Sequence, residues 1–548
     1  DRLGEDKEAI NRMFTPEFRN RLDAIIGFAH LPRDVVRMVV QKNIYALESQ
    51  LTERNVVITL TDEAQDWLAE KGYDKAMGAR PLGRLIADKI KKPLVLPFLD
   101  YGTPAKRRDC CEAELRLNRR FSADLYLQVV PIVGTTADPR IGGTGTAIEF
   151  AVKMRRFAEV GRLDRLCARG QLHAKQMSAL AATIAEFHAQ AATAPAGTRF
   201  GDPEQVLAPA LANFAELAAL LPGSEEQTPL TWLCEWTRSE FDRLAPRFAA
   251  RRAAGRVREC HGDLHLGNLV LIDDQIRLFD CIEFSEDLRW IDVASEIAFT
   301  FIDLVDHDQP GLAGWLVNEW LSCSGDYDAV QVLRFYAVYR ALVRAKVAAL
   351  RARQTNGDSS QARHYLALAE RLAKPPPARL IITHGVAGCG KSRAARRILL
   401  HDPEAATLRV RSDVERKRLF DLDATARSGS PVDGGIYASD ASELTYARLY
   451  ALARELLVAN WSVIVDAAFL EGNRRDRFRA LAAHTNAAFF IVAPQATPAV
   501  LRARIRGRLH KGHDASEATL AVLAQQLSRT QPLRADERDC LLQEAVYA

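Results

Sequence analysis

Long apolar runs are missing from this 548-residue chain: none reaches the ~18–20 residues needed to cross a bilayer, so no membrane span is expected. No basic, apolar, small-residue leader opens it either. The nine cysteines include no C-x-x-C pair, and Cys110 and Cys111 are neighbours that do not easily bond to each other. That argues against a disulfide scaffold or a zinc site and for a reduced, cytoplasmic chain. A net field is also lacking. The 74 basic and 70 acidic side chains nearly cancel, so neither nucleic acid nor an anionic membrane is called for as a partner. An initiator methionine is absent: the sequence starts at Asp1 and is read as a fragment, or as beginning inside a gene.

The length calls for two to four domains, and 48% hydrophobic residues suffice for sizeable cores. The chain is organised around Cys260–Leu269, which reads Cys-His-Gly-Asp-Leu-His-Leu-Gly-Asn-Leu. Asp263 and Asn268, five apart on a loop opened by His-Gly, suit a kinase catalytic loop. The Asp orients the attacking hydroxyl and accepts its proton, and the Asn holds a Mg²⁺ that neutralises phosphate charge. A second metal-binding acid is expected after the next strand pair, and Asp280 stands there in Leu278-Phe279-Asp280. A turn rich in Gly, Asp and Asn is the plainer reading, but it does not explain the ordered set Asp263, Asn268, Asp280.

Further on, Pro375-Pro376-Pro377 breaks a helical region and marks a boundary. The apolar strand Leu380–Thr383 runs into Gly385-x-x-Gly388-x-Gly390-Lys391-Ser392 and then a helix. This is a P-loop in its required strand–loop–helix setting. Backbone N–H groups and a helix N-terminus cradle phosphates, Lys391 bridges the β- and γ-phosphates, and Ser392 ligates Mg²⁺. Trp461–Asp466 is an apolar strand ending in a candidate Mg²⁺ acid, Asp466. Asp413 closes another strand, placed to orient an acceptor hydroxyl. Arg502, Arg504, Arg506 and Arg508 alternate through a helical stretch. Such a run is most simply a solvated face, but Arg504 and Arg508, four apart, are the pair expected to meet the transferring phosphate.

Element by element, Thr15-Pro16 starts a helix. A second is expected over Pro32–Glu53, with Val35, Val39, Ile44, Leu47 and Leu51 near one face. Asn55–Leu60 reads as a strand, Asp62–Lys71 as a helix stopped by Gly72, and Gly78–Leu82 begins another helix. Asp109–Arg120 is expected to be helical, Leu125–Val133 and Thr146–Met154 to be strands, and most of Leu163–Leu350 to be helical.

Three resemblances overlay this pattern. Residues 1 to about 93, through Phe14–Asp23 (FTPEFRNRLD) and Gly72–Leu82 (GYDKAMGARPL), resemble the C-terminal small subdomain of ClpA-type Clp ATPases. The resemblance implies that Arg21 reaches a neighbouring subunit's nucleotide and that Arg80 senses a γ-phosphate, but no P-loop precedes Phe14 in this sequence. An unfoldase that works in hexamers, or with a protease partner, is therefore the alternative reading. Residues about 89–350 resemble the aminoglycoside phosphotransferase family, through Cys111–Arg120, Ala147–Phe157, His261–Leu269 and Leu278–Phe284. That likeness implies Asp263 as catalytic acid/base, Asn268 and Asp280 as Mg²⁺ ligands, and Glu112 or Glu114 as partner of the phosphate-binding lysine. It makes Glu149–Met154 the hinge passing the adenine, His261 and His265 braces of the loop, and Asp292 its anchor through backbone hydrogen bonds. Lys89, in Lys89-Ile90-Lys91-Lys92-Pro93, is the implied ATP lysine. The same Lys-Lys-Pro ends the Clp-like segment, so a junction is placed within about residues 88–94, a fusion or a chimera whose N-lobe lacks two strands. Residues 378–545 resemble P-loop kinase domains of the polynucleotide kinase and gluconate kinase sort, through Arg411–Phe420 and Asp514–Ala518.

The expected fold is α/β multidomain: a small α+β Clp subdomain over 1–93, a kinase-like domain with a truncated N-lobe and helical C-lobe over 94–373, and a parallel-sheet P-loop domain over 374–548. The expected function is an ATP- and Mg²⁺-dependent phosphotransferase acting on a small-molecule hydroxyl, with a non-catalytic ATP-binding regulator as a further alternative. The acceptor itself is not specified by the sequence.

Overall fold

The computed structural model describes residues 32–49, 60–72, 95–96, 99–100, 102–135, 138–354, 357–431, 434–511 and 515–543. The chain divides into two compact units, Asp1–Leu94 and Val95–Ala548.

In the first unit, the helices Arg33–Ser49 and Asp62–Gly72 pack together. Val36, Val40 and Ile44, at i, i+4 and i+8, are buried against Leu68 and Ala69. The expected stripe on Val35 and Val39 is thus one residue out of phase: Val39 packs only partly against this cluster. Arg37 ties the helices together through Asp62 (2.6 Å) and Asp66 (3.4 Å). Gly72 ends the second helix inside its last turn. The Thr15-Pro16 start, Arg21, Leu51, the strand from Asn55 to Thr59, Gly78–Leu82 with Arg80, and Lys89 lie outside the described residues.

The second unit begins with a hairpin of β1 (Val95–Leu96) and β2 (Leu99–Asp100). The helix Pro104–Ser122 follows, with Pro104 in its first turn and the Thr103 hydroxyl accepting the Lys106 N–H (3.3 Å). A three-stranded antiparallel sheet of β3 (Tyr126–Gly134), β4 (Pro139–Ile141) and β5 (Ala147–Met154) runs in the order β4-β3-β5 and carries this helix. The chain then becomes largely helical from Leu163 to Ala373, past the Leu350 limit of the expected helical stretch. Two short strand pairs interrupt the helices and build a loop platform. β6 (Val257–Glu259) pairs with β9 (Trp290–Asp292), and β7 (Leu269–Ile272) with β8 (Gln275–Leu278). Asp273 and Asp274, both at positive φ (50° and 58°), make the two-residue turn of the β7–β8 hairpin.

The last segment is a parallel sheet of β10 (Arg379–Thr383), β11 (Thr407–Arg411), β12 (Ser462–Asp466) and β13 (Ala488–Val492), in the order β11-β12-β10-β13. Leu380, Ile381 and Ile382 are fully buried, as a central parallel strand covered on both faces requires. One hydrophobic core runs beneath both the helical region and this sheet, joining Trp315, Leu316 and Trp320 to Leu408 and Val410. The approach is close. A Cβ on Gly311 would stand 1.9 Å from the Leu400 carbonyl oxygen, so only glycine fits there. Among the described residues, no helix is long and apolar enough to cross a membrane.

Candidate active sites

The middle site forms because the β7–β8 hairpin turns the chain back on itself. The loop Cys260–Asn268 leaves β6, and the hairpin returns Phe279 beside Asn268, its N–H donating to the Asn268 carbonyl (3.0 Å). Asp280 therefore stands near the Asp263–Asn268 loop. The Asn268 amide donates to the Asp263 carbonyl (3.0 Å) and to Asp263 Oδ2 (3.1 Å). Asp280 takes φ +64°, uncommon for a non-glycine, and its N–H donates to the Tyr126 hydroxyl (2.9 Å).

The surrounding electrostatics separate the two acids. Desolvation alone would raise the Asp263 carboxyl, but His265, at 3.4 Å, and His261 outweigh it and hold the group below its ordinary range. The Asp280 carboxyl is held above its ordinary range, first by desolvation in the cleft and then by the Asp263 charge. Two carboxylates in one cleft suit a divalent cation. Asp280 also lines a cavity of ≈ 980 Å³ with Glu114, Tyr126, Met154, Phe157 and Phe279. Phe157 and Phe279, their rings 5.1 Å apart, give that cavity an aromatic wall.

Several of the expected residues make defined contacts around this cleft. Glu114 faces the cavity, whereas Glu112 pairs with Arg108 (2.7 Å) on the open side of its helix. His261 braces the loop, its Nε2 lying 2.9 Å from the Phe279 carbonyl. Of the hinge segment, Met154 reaches the cavity, while Glu149 is tied to Arg107 (2.9 Å). Asp292 does not anchor the loop. Its carboxylate is occupied by Arg251 (2.8 Å through each oxygen) and by the Ala294 N–H, capping the helix Val293–Asp306. The loop is held instead by Glu296, one turn further on, which accepts the His261 and Gly262 N–H groups (2.9 and 2.7 Å). Asp303 adds the Leu266 N–H (2.8 Å). Glu296 and Asp303 sit in the apolar run of a buried helix, and acids there were the available signal. Arg120 and Asn118 were also not singled out. Arg120 donates to the Glu259 carbonyl (2.6 Å), and Asn118 Oδ1 accepts the Cys281 N–H (3.0 Å), so one helix holds both the loop and the Asp280 segment.

The second site lies at the carboxyl ends of the parallel strands, with neighbours of β10 on both sides. Gly385, Gly388 and Gly390 hold φ of +135°, +83° and +116°, and the helix Lys391–Leu400 starts directly behind them. The Lys391 ammonium donates to the Gly385 and Val386 carbonyls (2.8 and 2.9 Å). Arg504 donates to the Gly388 and Cys389 carbonyls (3.0 and 3.1 Å). One cavity of ≈ 780 Å³ takes in Lys391, Ser392, Asp413, Asp466, Arg504 and Arg508. Asp466 ends the strand beside β10. Its Oδ2 is buried and takes no hydrogen bond among the described residues, an orphaned acceptor that suits a Mg²⁺ ligand. Sequence reasoning missed Arg416, Tyr437 and Arg474 on the same cavity: Arg416 lies inside the Arg411–Phe420 motif without being singled out from its basic neighbours, and Tyr437 and Arg474 lie outside the quoted motifs. Asp514 lies outside the described residues.

Three family models match successive parts of the chain. Residues 31–106 match the model for the C-terminal, D2-small domain of ClpB protein. Residues 103–333 match the phosphotransferase enzyme family, and residues 380–533 match an AAA domain. The class is thus a chain joining a Clp-type small domain to a phosphotransferase-family domain and a P-loop AAA domain. More particularly, the chain belongs to the family of an uncharacterized protein of Mycobacterium tuberculosis, at 30% identity over 443 residues, 80% of this chain and 86% of that one. A ClpA homolog protein of Fuscovulum blasticum is 62% identical over 98 residues, which are 18% of this chain and 12% of that protein. Among solved structures, a glucosamine kinase overlaps 49% of this chain and 70% of its own at 17% identity and a TM-score of 0.28, too low to carry weight.

Proposed function

We propose that this chain is an ATP- and Mg²⁺-dependent phosphotransferase of the small-molecule kinase type, cytoplasmic, with its main nucleotide site at Gly385–Ser392. The observation that carries the reading is Asp466. A buried carboxylate oxygen with no partner, at the end of the strand next to the P-loop strand, is costly unless a cation completes it. Ser392 and Asp466 would hold Mg²⁺, which when bound neutralises charge on the phosphate oxygens. Gly385, Gly388 and Gly390 let the backbone N–H groups close on the phosphates, and Lys391 exchanges its loop carbonyls for them. Asp413 accepts the proton of the acceptor hydroxyl. Arg504 and Arg508 offset charge on the transferring group.

In the middle unit the same reading gives Asp263 the hydroxyl proton, Asn268 and Asp280 the Mg²⁺, and Glu114 the pairing with the phosphate lysine, for which Lys89 is the candidate. The acceptor is a small molecule with a free hydroxyl, and neither nucleic acid nor a Clp-type hexamer or protease partner enters the reading. Nucleotide titration of the purified chain tests it. Lys391→Ala should weaken ATP binding by one to two orders of magnitude, the range expected for losing a charge-assisted phosphate contact of ~1.5–3 kcal/mol. Unchanged affinity and turnover would remove the P-loop assignment. Asp263→Ala with no effect on transfer to any hydroxyl acceptor would reduce the middle unit to a scaffold.

A further inference from the structure

Asp303, Asp306 and His307 stand at i, i+3 and i+4 at the C-terminal end of the helix Val293–Asp306, so they share one face. A carboxylate oxygen of each acid and a ring nitrogen of the histidine all lie within 4.8 Å of one another. His307 Nδ1 is 4.0 Å from Asp303 Oδ1 and 3.9 Å from Asp306 Oδ2. The helix Ser360–Ala373 adds a second imidazole: His364 Nε2 stands 3.1 Å from Asp306 Oδ1. Asp303 is buried, His307 is partly open and His364 is exposed, so an ion has a way in.

Asp303 is only half satisfied. Its Oδ2 accepts the Leu266 N–H (2.8 Å), but its Oδ1 is buried and takes no hydrogen bond among the described residues. Arg344 Nη2, at 3.6 Å, offsets the charge without satisfying the oxygen, and the guanidinium is turned to the Tyr365 hydroxyl (3.3 and 3.4 Å). Tyr365 in turn donates to Asp306 Oδ2 (2.6 Å), which fixes that carboxylate with Oδ1 toward His364. A buried carboxylate oxygen without a donor is unfavourable, and a metal ion satisfies it.

The donor set selects the ion. Imidazole nitrogens mixed with carboxylates suit a first-row transition cation such as Zn²⁺, whereas Mg²⁺ and Ca²⁺ favour oxygen alone. Ligand atoms around a tetrahedral zinc stand roughly 3.3–3.5 Å apart, so the 3.9 and 4.0 Å separations at His307 need to close by about half an ångström. His307 Nδ1 faces the Asp303 carbonyl (2.8 Å), and ligation through it moves the ring proton to Nε2 and gives up that one hydrogen bond. No cysteine takes part, so the missing C-x-x-C pairs do not bear on this site.

We propose that Asp303, Asp306 and His307, completed by His364, bind a divalent transition cation of the Zn²⁺ class that braces the catalytic loop of the middle site. The link is Asp303 itself: one oxygen holds the ion while the other holds the Leu266 N–H, between Asp263 and Asn268. Thr300, on the same helix, donates to the Leu264 carbonyl (2.6 Å). The ion takes no part in bond making; its role is positional.

The test uses the full chain, stripped with EDTA and then kept in excess Mg²⁺ so that sites preferring oxygen ligands are filled. Zn²⁺ is titrated in, and the metal retained after dialysis is measured. The expected result is a stoichiometric amount of Zn²⁺ that neither Mg²⁺ nor Ca²⁺ displaces. His307→Ala and His364→Ala should each lower the affinity about tenfold or more, from losing a ligand of the ion. His364 is exposed, so His364→Ala decides the question if His307→Ala does not fold. Zn²⁺ should also slow hydrogen exchange in the peptide carrying Leu266 in the wild type and not in His364→Ala. No Zn²⁺ retained, or equal retention in wild type and both variants as binding at cysteines alone would give, overturns the site. Retention with unchanged exchange at Leu266 overturns the bracing role.

Discussion

Tyr327 and Glu415 sit in different family-matched regions of the Val95–Ala548 unit, and the Tyr327 hydroxyl donates to Glu415 Oε1 at 3.1 Å in the interior. Glu415 is fully buried and also pairs with Arg418 and Arg448 (3.4 Å). Asn318 Oδ1 accepts the Arg409 N–H (2.7 Å) across the same boundary, and the Trp461 indole donates to the Val330 carbonyl (3.2 Å). Glu415 is on the helix that carries Asp413 and Arg416, so the phosphotransferase-family region fixes one wall of the P-loop cavity. Replacing Glu415 by Ala removes the buried partner shared by the half-buried Arg418 and Arg448 and should cost ~1.5–3 kcal/mol. Tyr327→Phe should cost only ~1–2 kcal/mol, since a neutral donor is lost and Glu415 keeps its arginines. Guanidinium unfolding of both variants measures this. The shared core further predicts that the two regions unfold in one transition.

Glu296 makes a pH prediction. Burial would raise its carboxyl, but His188, His261 and the accepted amides overcome that and hold it below the ordinary 4.5. A carboxyl lowered on folding contributes stability that is complete above 4.5 and disappears as pH falls through the folded value. Glu296→Gln should therefore destabilise the chain by ~2–3 kcal/mol at pH 7. The gap between the two proteins should narrow steadily below pH 4.5. A gap that stays constant from pH 7 to pH 3.5 would mean that the charge of Glu296 is not what holds His261 and Gly262.

The two loops were legible because each is a local string whose chemistry is fixed by spacing. The P-loop needs its strand, glycines and helix in immediate succession, and Asp263, Asn268 and Asp280 are brought near one another by a single hairpin. Glu296 was not legible, because its distance from His261 is set by the strand β9 and a helix start, and Asp292 in the preceding cap position carries the same charge. Which of two nearby acids reaches the loop depends on the helix phase, and phase is also what misplaced the apolar stripe from Val36 to Val35. Arg416 was hidden for the opposite reason. In the sequence it is one of several basic residues in Arg411–Arg418; Lys417 beside it is buried too but pairs with Glu517, a difference that only the fold makes visible.

Asp466 should show opposite effects on stability and function. Its Oδ2 is buried without a hydrogen bond, so the isosteric Asp466→Asn removes a poorly compensated charge from the interior. The nucleotide-free variant should be more stable than the wild type by ~1 kcal/mol. The gain in nucleotide affinity on adding Mg²⁺ should be lost in the same protein. Differential scanning calorimetry without ligand, beside nucleotide titrations with and without Mg²⁺, reads both effects. If Asp466→Asn is less stable and still shows the Mg²⁺ gain, Asp466 is a structural acid and the metal lies elsewhere.

Tyr126 separates the middle site from the P-loop site. Its hydroxyl is the acceptor for the Asp280 N–H, and Asp280 holds a positive φ that few non-glycine residues adopt. The phenol is buried, its ionisation pushed well up by desolvation, so it remains a neutral group at any working pH. Tyr126→Phe keeps the ring in the core and deletes only this contact. Asp280 then loses what fixes its backbone, at ~1–2 kcal/mol, and its carboxylate loses its fixed direction toward Asp263 and Asn268. The comparison belongs in a Lys391→Ala background, where nucleotide binding reports on the middle cleft. There, Tyr126→Phe should weaken Mg²⁺-dependent nucleotide binding by about tenfold, following from that loss. With Lys391 intact, nucleotide binding at the P-loop should be unaffected, because Tyr126 lines only the other cavity. Equal affinity in the two Lys391→Ala proteins would show that Asp280 does not serve a metal–nucleotide site.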